Sequence, residues 1–144
     1  MRVILQRAKQ SSVSFNGKTN KIDFGLVVLV GFTEGDSIED IHYMVRKIIN
    51  MRIFDDENHI MNKSILDVSG SILSISQFTL YADCHKGNRP SYKKALNGSD
   101  AHILYDLFNK KLKEYVYTEE GFFGEDMLVS IQNDGPVTIA LESR

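Results

Sequence analysis

Few side chains in this sequence are arranged to do chemistry unaided. The four histidines, His42, His59, His85 and His102, are scattered. None pairs with another at metal-ligand spacing, and the single cysteine, Cys84, supplies no cluster to help them. There is no phosphate-binding Gly-rich loop ending in Lys-Ser/Thr and no Gly-x-Ser-x-Gly elbow. The acidic run Asp55-Asp56-Glu57 sits at an expected turn and reads as solvated loop. Cys84 and His85 are neighbours, and neighbours on an extended chain point to opposite sides, so they make a poor thiol–imidazole pair. The expectation is an inert thiol, no metal, no cofactor, and no familiar metal or triad hydrolase.

The elements that must hold any site can be read from spacing. Val3, Leu5, Val13 and Phe15 alternate with polar neighbours, as half-buried strands do. Asn16-Gly17 follows and favours a tight hairpin turn, because both residues tolerate positive φ. The apolar run between Gly25 and Gly31 is short and rich in β-branched residues, which predicts a buried strand. Ser37 and Asp40 look like a reciprocal helix start, and Ile38, Ile41, Val45 and Ile48 then share one helical face. Ser71 to Leu80 returns to strand character. Asp100 is expected to cap a second helix with Ile103, Leu104, Leu107, Phe108 and Leu112 inside. Met127 to Gln132 and Val137 to Leu141 alternate again, with Asn133-Asp134-Gly135-Pro136 expected as the turn between them. The order predicts an α+β fold: two main helices on a largely antiparallel, partly closed sheet, dimerising to protect its edges.

Bulk properties narrow the class. The 144 residues suit one domain, 1–144, and 42% hydrophobic with 25% charged residues predicts a packed core. No apolar run approaches the roughly 20 residues of a membrane helix. Gln6, Arg7, Lys9 and Gln10 interrupt the apolar start before a signal-peptide core forms, so the expected location is the cytosol, with no membrane partner. A lone thiol fits a reducing compartment. The formal charge of −2 argues against a DNA binder, so any RNA contact must be a local patch. Lys86, Arg89, Lys93 and Lys94 form one such cluster. Lys110, Lys111 and Lys113 form another, which reads as solvated surface.

Two stretches are specific. One is Ser76-Gln77-Phe78-Thr79-Leu80-Tyr81-Ala82-Asp83, continuing through Lys86-Gly87-Asn88-Arg89-Pro90-Ser91-Tyr92. The other is Asn133-Asp134-Gly135-Pro136-Val137-Thr138. Together with Val3-Ile4-Leu5-Gln6-Arg7, Met51-Arg52-Ile53-Phe54, Met61-Asn62 and Phe123-Gly124-Glu125-Asp126-Met127, they resemble the D-aminoacyl-tRNA deacylase family over nearly the whole chain and in its order. The departures are local: Cys84-His85 replaces other polar residues, Tyr92 replaces the commoner Phe, and no proline follows Lys93.

The resemblance implies a proofreading hydrolase, a homodimer acting on the aminoacyl-tRNA acceptor end. Thr79 is the obvious side-chain nucleophile, but its hydroxyl has no evident base. The resemblance implies RNA-assisted chemistry instead, in which the ribose 2′-OH helps activate water. Ser76, Gln77, Phe78 and Thr79 would form the catalytic segment, with backbone N–H groups around Gln77 to Thr79 holding the carbonyl oxygen. Phe78 reads equally as a stacking face for the terminal adenine and as sheet core. Lys86 and Arg89 would lie near acceptor-end phosphates. Gly135 and Pro136 would enter the partner subunit's site, where the carbonyls of a cis Gly-Pro would hold the amino group and exclude an L side chain. Glycine, lacking a side chain, would be accepted. An ordinary hairpin turn also explains Asn133-Asp134-Gly135, but not a proline where a strand should begin. Two alternatives stay open: a dimeric tRNA-end binding module without turnover, and an esterase with Thr79 as nucleophile.

Overall fold

The computed structural model describes residues 1–143. Strand β1 (Arg2–Phe15) turns at Asn16-Gly17 into β2 (Lys18–Gly31), and both turn residues have positive φ, as the dipeptide predicts. Helix α1 (Ile38–Asn50) follows, then the short hairpin β3 (Phe54–Asp55) and β4 (Met61–Lys63). Next come β5 (Ser71–Ser76), a 3-10 turn (Phe78–Tyr81), helix α2 (Gly98–Lys113), β6 (Thr118–Glu120) and β7 (Leu128–Glu142).

The main sheet has the order β6-β5-β2-β1-β7. Its long ladders, β1 with β2 and β1 with β7, are antiparallel. The shorter ones, β2 with β5 and β5 with β6, are parallel and bridged by the helices. The α+β class holds, but the sheet is mixed, and its edge strands β6 and β7 do not pair with each other as a partly closed sheet would suggest.

Alternation along the strands sorts side chains to two faces. Leu26, Val28, Val30 and Ile72 join α1 and α2 residues in the larger core. Val27, Leu73 and Ile75 point the other way, into a smaller cluster with Ala8, Val13 and Ile22. On that second face Leu29, Val129 and Ile131 are only partly buried, while Leu128, at the start of β7 and turned to the opposite side from Val129, is 71% exposed.

Four sequence expectations are corrected. Asp100 is not the cap of α2: Asn97 is, and its side chain accepts from the Asp100 N–H. The buried side of α2 is Ala101, Tyr105, Phe108, Asn109 and Leu112, while Ile103 and Leu107 are exposed. Strand β5 stops at Ser76 instead of running to Leu80. Gly135-Pro136 is no hairpin turn: β7 runs through it, and the register against β1 slips between Ala8↔Asn133 and Gln6↔Thr138.

Candidate active site

Strand β5 lies between two parallel neighbours and is buried from Ile72 to Ile75. Its last link to β2 is the Gln77 N–H donating to the Val30 carbonyl at 2.7 Å. The chain then tightens, with the Leu80 N–H donating to Gln77 and the Ala82 N–H to Thr79. The turn packs directly on the end of β2, where a Cβ on Gly31 would stand 2.8 Å from the Gln77 carbonyl oxygen. In a turn of i→i+3 bonds the first N–H groups, here those of Phe78 and Thr79, have no acceptor inside the turn. Through Phe78 the turn borders a cleft.

That cleft, about 440 Å³, is walled by Ser76, Gln77, Phe78, Tyr92, Leu96 and Phe123, with Gly31 and Ala101 deeper. Phe78 is 56% exposed, which decides against sheet core, and its ring meets Tyr92 edge-on at 5.2 Å. Phe123 is stacked on His102 at 4.3 Å. An aromatic-walled slot of this kind suits a flat base. Among the described residues, those lining the cleft include no Asp, Glu, His, Lys or Cys. The partner of the Thr79 hydroxyl is the Gln77 side-chain amide, which donates to it at 2.5 Å and cannot take its proton. Glu125 and Asp126 line a separate hollow that shares Ser76, Gln77 and Phe78, and both are exposed.

A polar cavity shares Ala95, Leu96 and Asn97 with the cleft and is lined by Arg2, Thr33, Glu34, Lys93, Lys94 and Asp100. Lys94 pairs with Asp83 at 3.1 Å, and Arg2 pairs with Glu142 while lying over the Tyr81 ring. Burial pushes the Tyr81 phenol up to about 12, with Asp36 adding to the effect. Asp83 also exchanges two backbone hydrogen bonds with Ser91, closing a loop whose exposed tip carries Lys86 and Arg89. Lys86 and Arg89 therefore line neither cavity, whereas Lys93 and Lys94 line the polar one.

Gly135 and Pro136 lie far from this cleft within one chain. Strands β2 and β1 stand between β5 and β7, roughly 14 Å of sheet at about 4.8 Å per strand. Both residues are exposed, and the bond joining them is cis. The segment is held by residues whose role sequence reading missed. Arg7 is buried; its Nε donates to the Asp134 carbonyl at 3.1 Å and its Nη1 to the Ile53 carbonyl at 2.8 Å. The Asn133 amide donates to the carbonyls of Arg7 and Val137, spanning the base of the bulge. One clue was in the sequence: Arg7 continues the inward series Val3, Leu5, where a charge needs a purpose.

The structure thus brings Ser76, Gln77 and Phe78 to one cleft, leaves Thr79 outside its lining although in the same turn, and places Lys86, Arg89, Gly135 and Pro136 elsewhere. The cleft is an aromatic slot whose lining holds no Asp, Glu, His, Lys or Cys. The chain belongs to the D-Tyr-tRNA(Tyr) deacylase family, a family of hydrolases, whose profile matches residues 4–142. It is 54% identical over 146 aligned positions to a D-aminoacyl-tRNA deacylase of Clostridium novyi (strain NT), covering 100% of this chain and 98% of that one. A solved c-Myc DNA Unwinding Element Binding Protein superposes with a TM-score of 0.94 at 39% identity, over 100% of this chain and 99% of that one. A structure described as "a probable eukaryotic D-amino acid tRNA deacylase" shares the fold, with a TM-score of 0.84 at 19% identity and 97% coverage of both chains.

Proposed function

We propose that this protein hydrolyses the ester of D-aminoacyl-tRNA, and of glycyl-tRNA mischarged on alanine tRNA, in the cytosol where translation runs. The observation that carries this reading is the cleft without a general base. The terminal adenine enters between Phe78 and Phe123. The ester carbonyl meets the Phe78 and Thr79 N–H groups. The vicinal ribose 2′-OH orients a water, which adds to the carbonyl carbon while the oxyanion is held by the two amides. The bond to the ribose oxygen then breaks, and that oxygen takes a proton, leaving free amino acid and intact tRNA. Thr79 shapes the pocket through Gln77 rather than attacking.

Chirality is set across a dimer. Within one chain Gly135 and Pro136 are too far from the cleft to meet its substrate. Their exposure on an edge strand beside a half-covered apolar sheet face supports insertion into a second subunit. There their carbonyls bind the amino group and leave no space for an L side chain. Glycine presents nothing to exclude. One methyl group is ordinarily worth about 1–3 kcal/mol in a pocket, but rigid backbone rejects it more strongly.

The decisive experiment follows ester loss from D-tyrosyl-, L-tyrosyl-, glycyl-, L-alanyl- and D-alanyl-tRNA side by side at equal enzyme. The D forms and glycyl-tRNA should be cleaved and the L forms spared. Binding without cleavage of any would make the protein a tRNA-end module. Persistence of glycyl-tRNA alone would mean that the pocket recognises a D side chain directly. A terminal 2′-deoxyribose should abolish most of the rate.

A further inference from the structure

Three parts of the cleft lining come from three different elements. Ser76 to Phe78 extend β5, Phe123 and Gly124 follow β6, and Ala101 belongs to α2. One backbone atom touches all three elements. The Ser74 carbonyl, two residues before the catalytic segment, accepts the Gly121 N–H at 2.8 Å from the loop after β6. It also accepts the Tyr105 hydroxyl at 2.8 Å from α2. Tyr105 lies one helical turn beyond Ala101, on the same inward face. Its ring packs on Phe123, with centroids 5.6 Å apart.

The surroundings of this contact are deeply buried. Tyr105, Ser74 and Asn109 are each buried to 1% exposure or less. The Ser74 hydroxyl and the Asn109 amide have no hydrogen-bond partner among the described residues, although the amide lies against the Tyr105 hydroxyl. Such groups are costly to bury, and an apolar pair of the same shape would serve the core at least as well. Stability alone does not account for a phenol at this point.

We infer that Tyr105 is a positioning residue for the hydrolysis: its hydroxyl, at the Ser74 carbonyl, locks the β5 end, the Phe123 loop and α2 into one register. It touches no substrate. It fixes the separation between the amides that hold the ester carbonyl and the aromatic wall that holds the base. Burial keeps the phenol above its ordinary pKa, so it stays a donor through the working pH range.

This inference rests on the proposed hydrolysis, and its test separates the two. Tyr105→Phe removes one oxygen and keeps the ring. On D-tyrosyl-tRNA, kcat should fall about tenfold, because misplacing reacting groups by a fraction of an ångström costs rate. KM should stay within about twofold, since the base slot keeps its rings. In a 15N amide spectrum without RNA, the Gly121 and Gln77 to Thr79 signals should shift. Tyr117→Phe, which removes an exposed hydroxyl at Glu119, should change neither rate nor those amides. If the unaltered protein leaves D-tyrosyl-tRNA intact, the hydrolase reading fails, and the amide spectrum still decides the junction. Unshifted amides, an unchanged kcat, or a Tyr105→Phe chain that does not fold would each overturn the positioning role.

Discussion

Thr79 is held by an amide that donates to it, and two carboxylates beside the turn, Glu125 and Asp126, are exposed in another hollow. Thr79→Ala should therefore lose far less than the ~10⁶-fold typical of deleting a true nucleophile. Glu125→Gln and Asp126→Asn should leave single-turnover rates within about twofold, against the 10²-fold or more expected for a general base. Loss of that larger size in either would move the chemistry from the RNA to the protein. The segment Ser76 to Thr79 was legible because its residue types are distinctive together. The environment of Phe78 was not, since an apolar ring in a strand-like stretch looks the same whether its strand continues or tightens into a turn. The cations show the same limit. Lys86, Arg89, Lys93 and Lys94 are close in sequence, but which of them reach the cavity depends on the Asp83–Ser91 pairing that folds the loop back. Lys93→Ala should lower the salt slope of tRNA binding by about 0.7, the value of one single-strand phosphate contact. Lys86→Ala and Arg89→Ala should lower it less, and an equal slope for all three would return Lys93 to ordinary surface charge.

At the level of elements, β7 is the instructive case. Its two halves alternate cleanly, and Asn133-Asp134-Gly135 has the residue types of a turn, with only Pro136 out of place. The chain continues straight because β1 is long enough to pair with both halves, a fact no local window contains. Arg7 and Asn133 absorb the extra residues. Arg7→Met should keep the fold but cost about 2 kcal/mol, the scale of charge-assisted hydrogen bonds lost at Asp134 and Ile53. It should also blur the D over L preference, measured as the ratio of the two tyrosyl-tRNA rates. A variant with normal stability and normal preference would remove Arg7 from this account. The loop after the 3-10 turn adds a pH dependence. The His85 N–H, and then Lys94, hold the Asp83 carboxyl below its ordinary 3.8. A lowered folded pKa contributes order that is complete above the unfolded value and is lost as pH falls through the folded one. The protection factor of the His85 amide, its exchange rate relative to an unstructured peptide at the same pH, should thus hold at neutral pH and fall below about pH 4, and Asp83→Asn should lower it throughout. The hairpin at Asn16-Gly17 and the strand after Gly25 were legible because turn chemistry and burial are local. Parallel pairing of β2 with β5 was not, because it joins residues separated by a whole helix.

For the whole molecule, the unequal faces of the sheet matter most. Two helices cover one face, while Leu29, Val129 and Ile131 leave the other half-covered. The proposed dimer would cover this apolar surface with a second copy, the arrangement in which Gly135 and Pro136 are proposed to meet a partner's cleft. The solution mass at micromolar concentration should be near twice 16.4 kDa. Val129→Lys should shift the protein toward monomer and remove activity in parallel, and a fully active monomer would end the shared-site idea. Composition and net charge said nothing of this, because the asymmetry lies in which strands neighbour which.

The loop closed by Asp83 and Ser91 also has a practical use. It presents Cys84, the protein's single thiol, exposed at its base near the 3-10 turn, yet outside both cavities. The molecule is thus built with one chemically unique handle next to its working parts. A maleimide dye would attach there at unit stoichiometry without mutagenesis. It would report arrival and departure of the RNA in real time, separating docking from bond cleavage within one turnover.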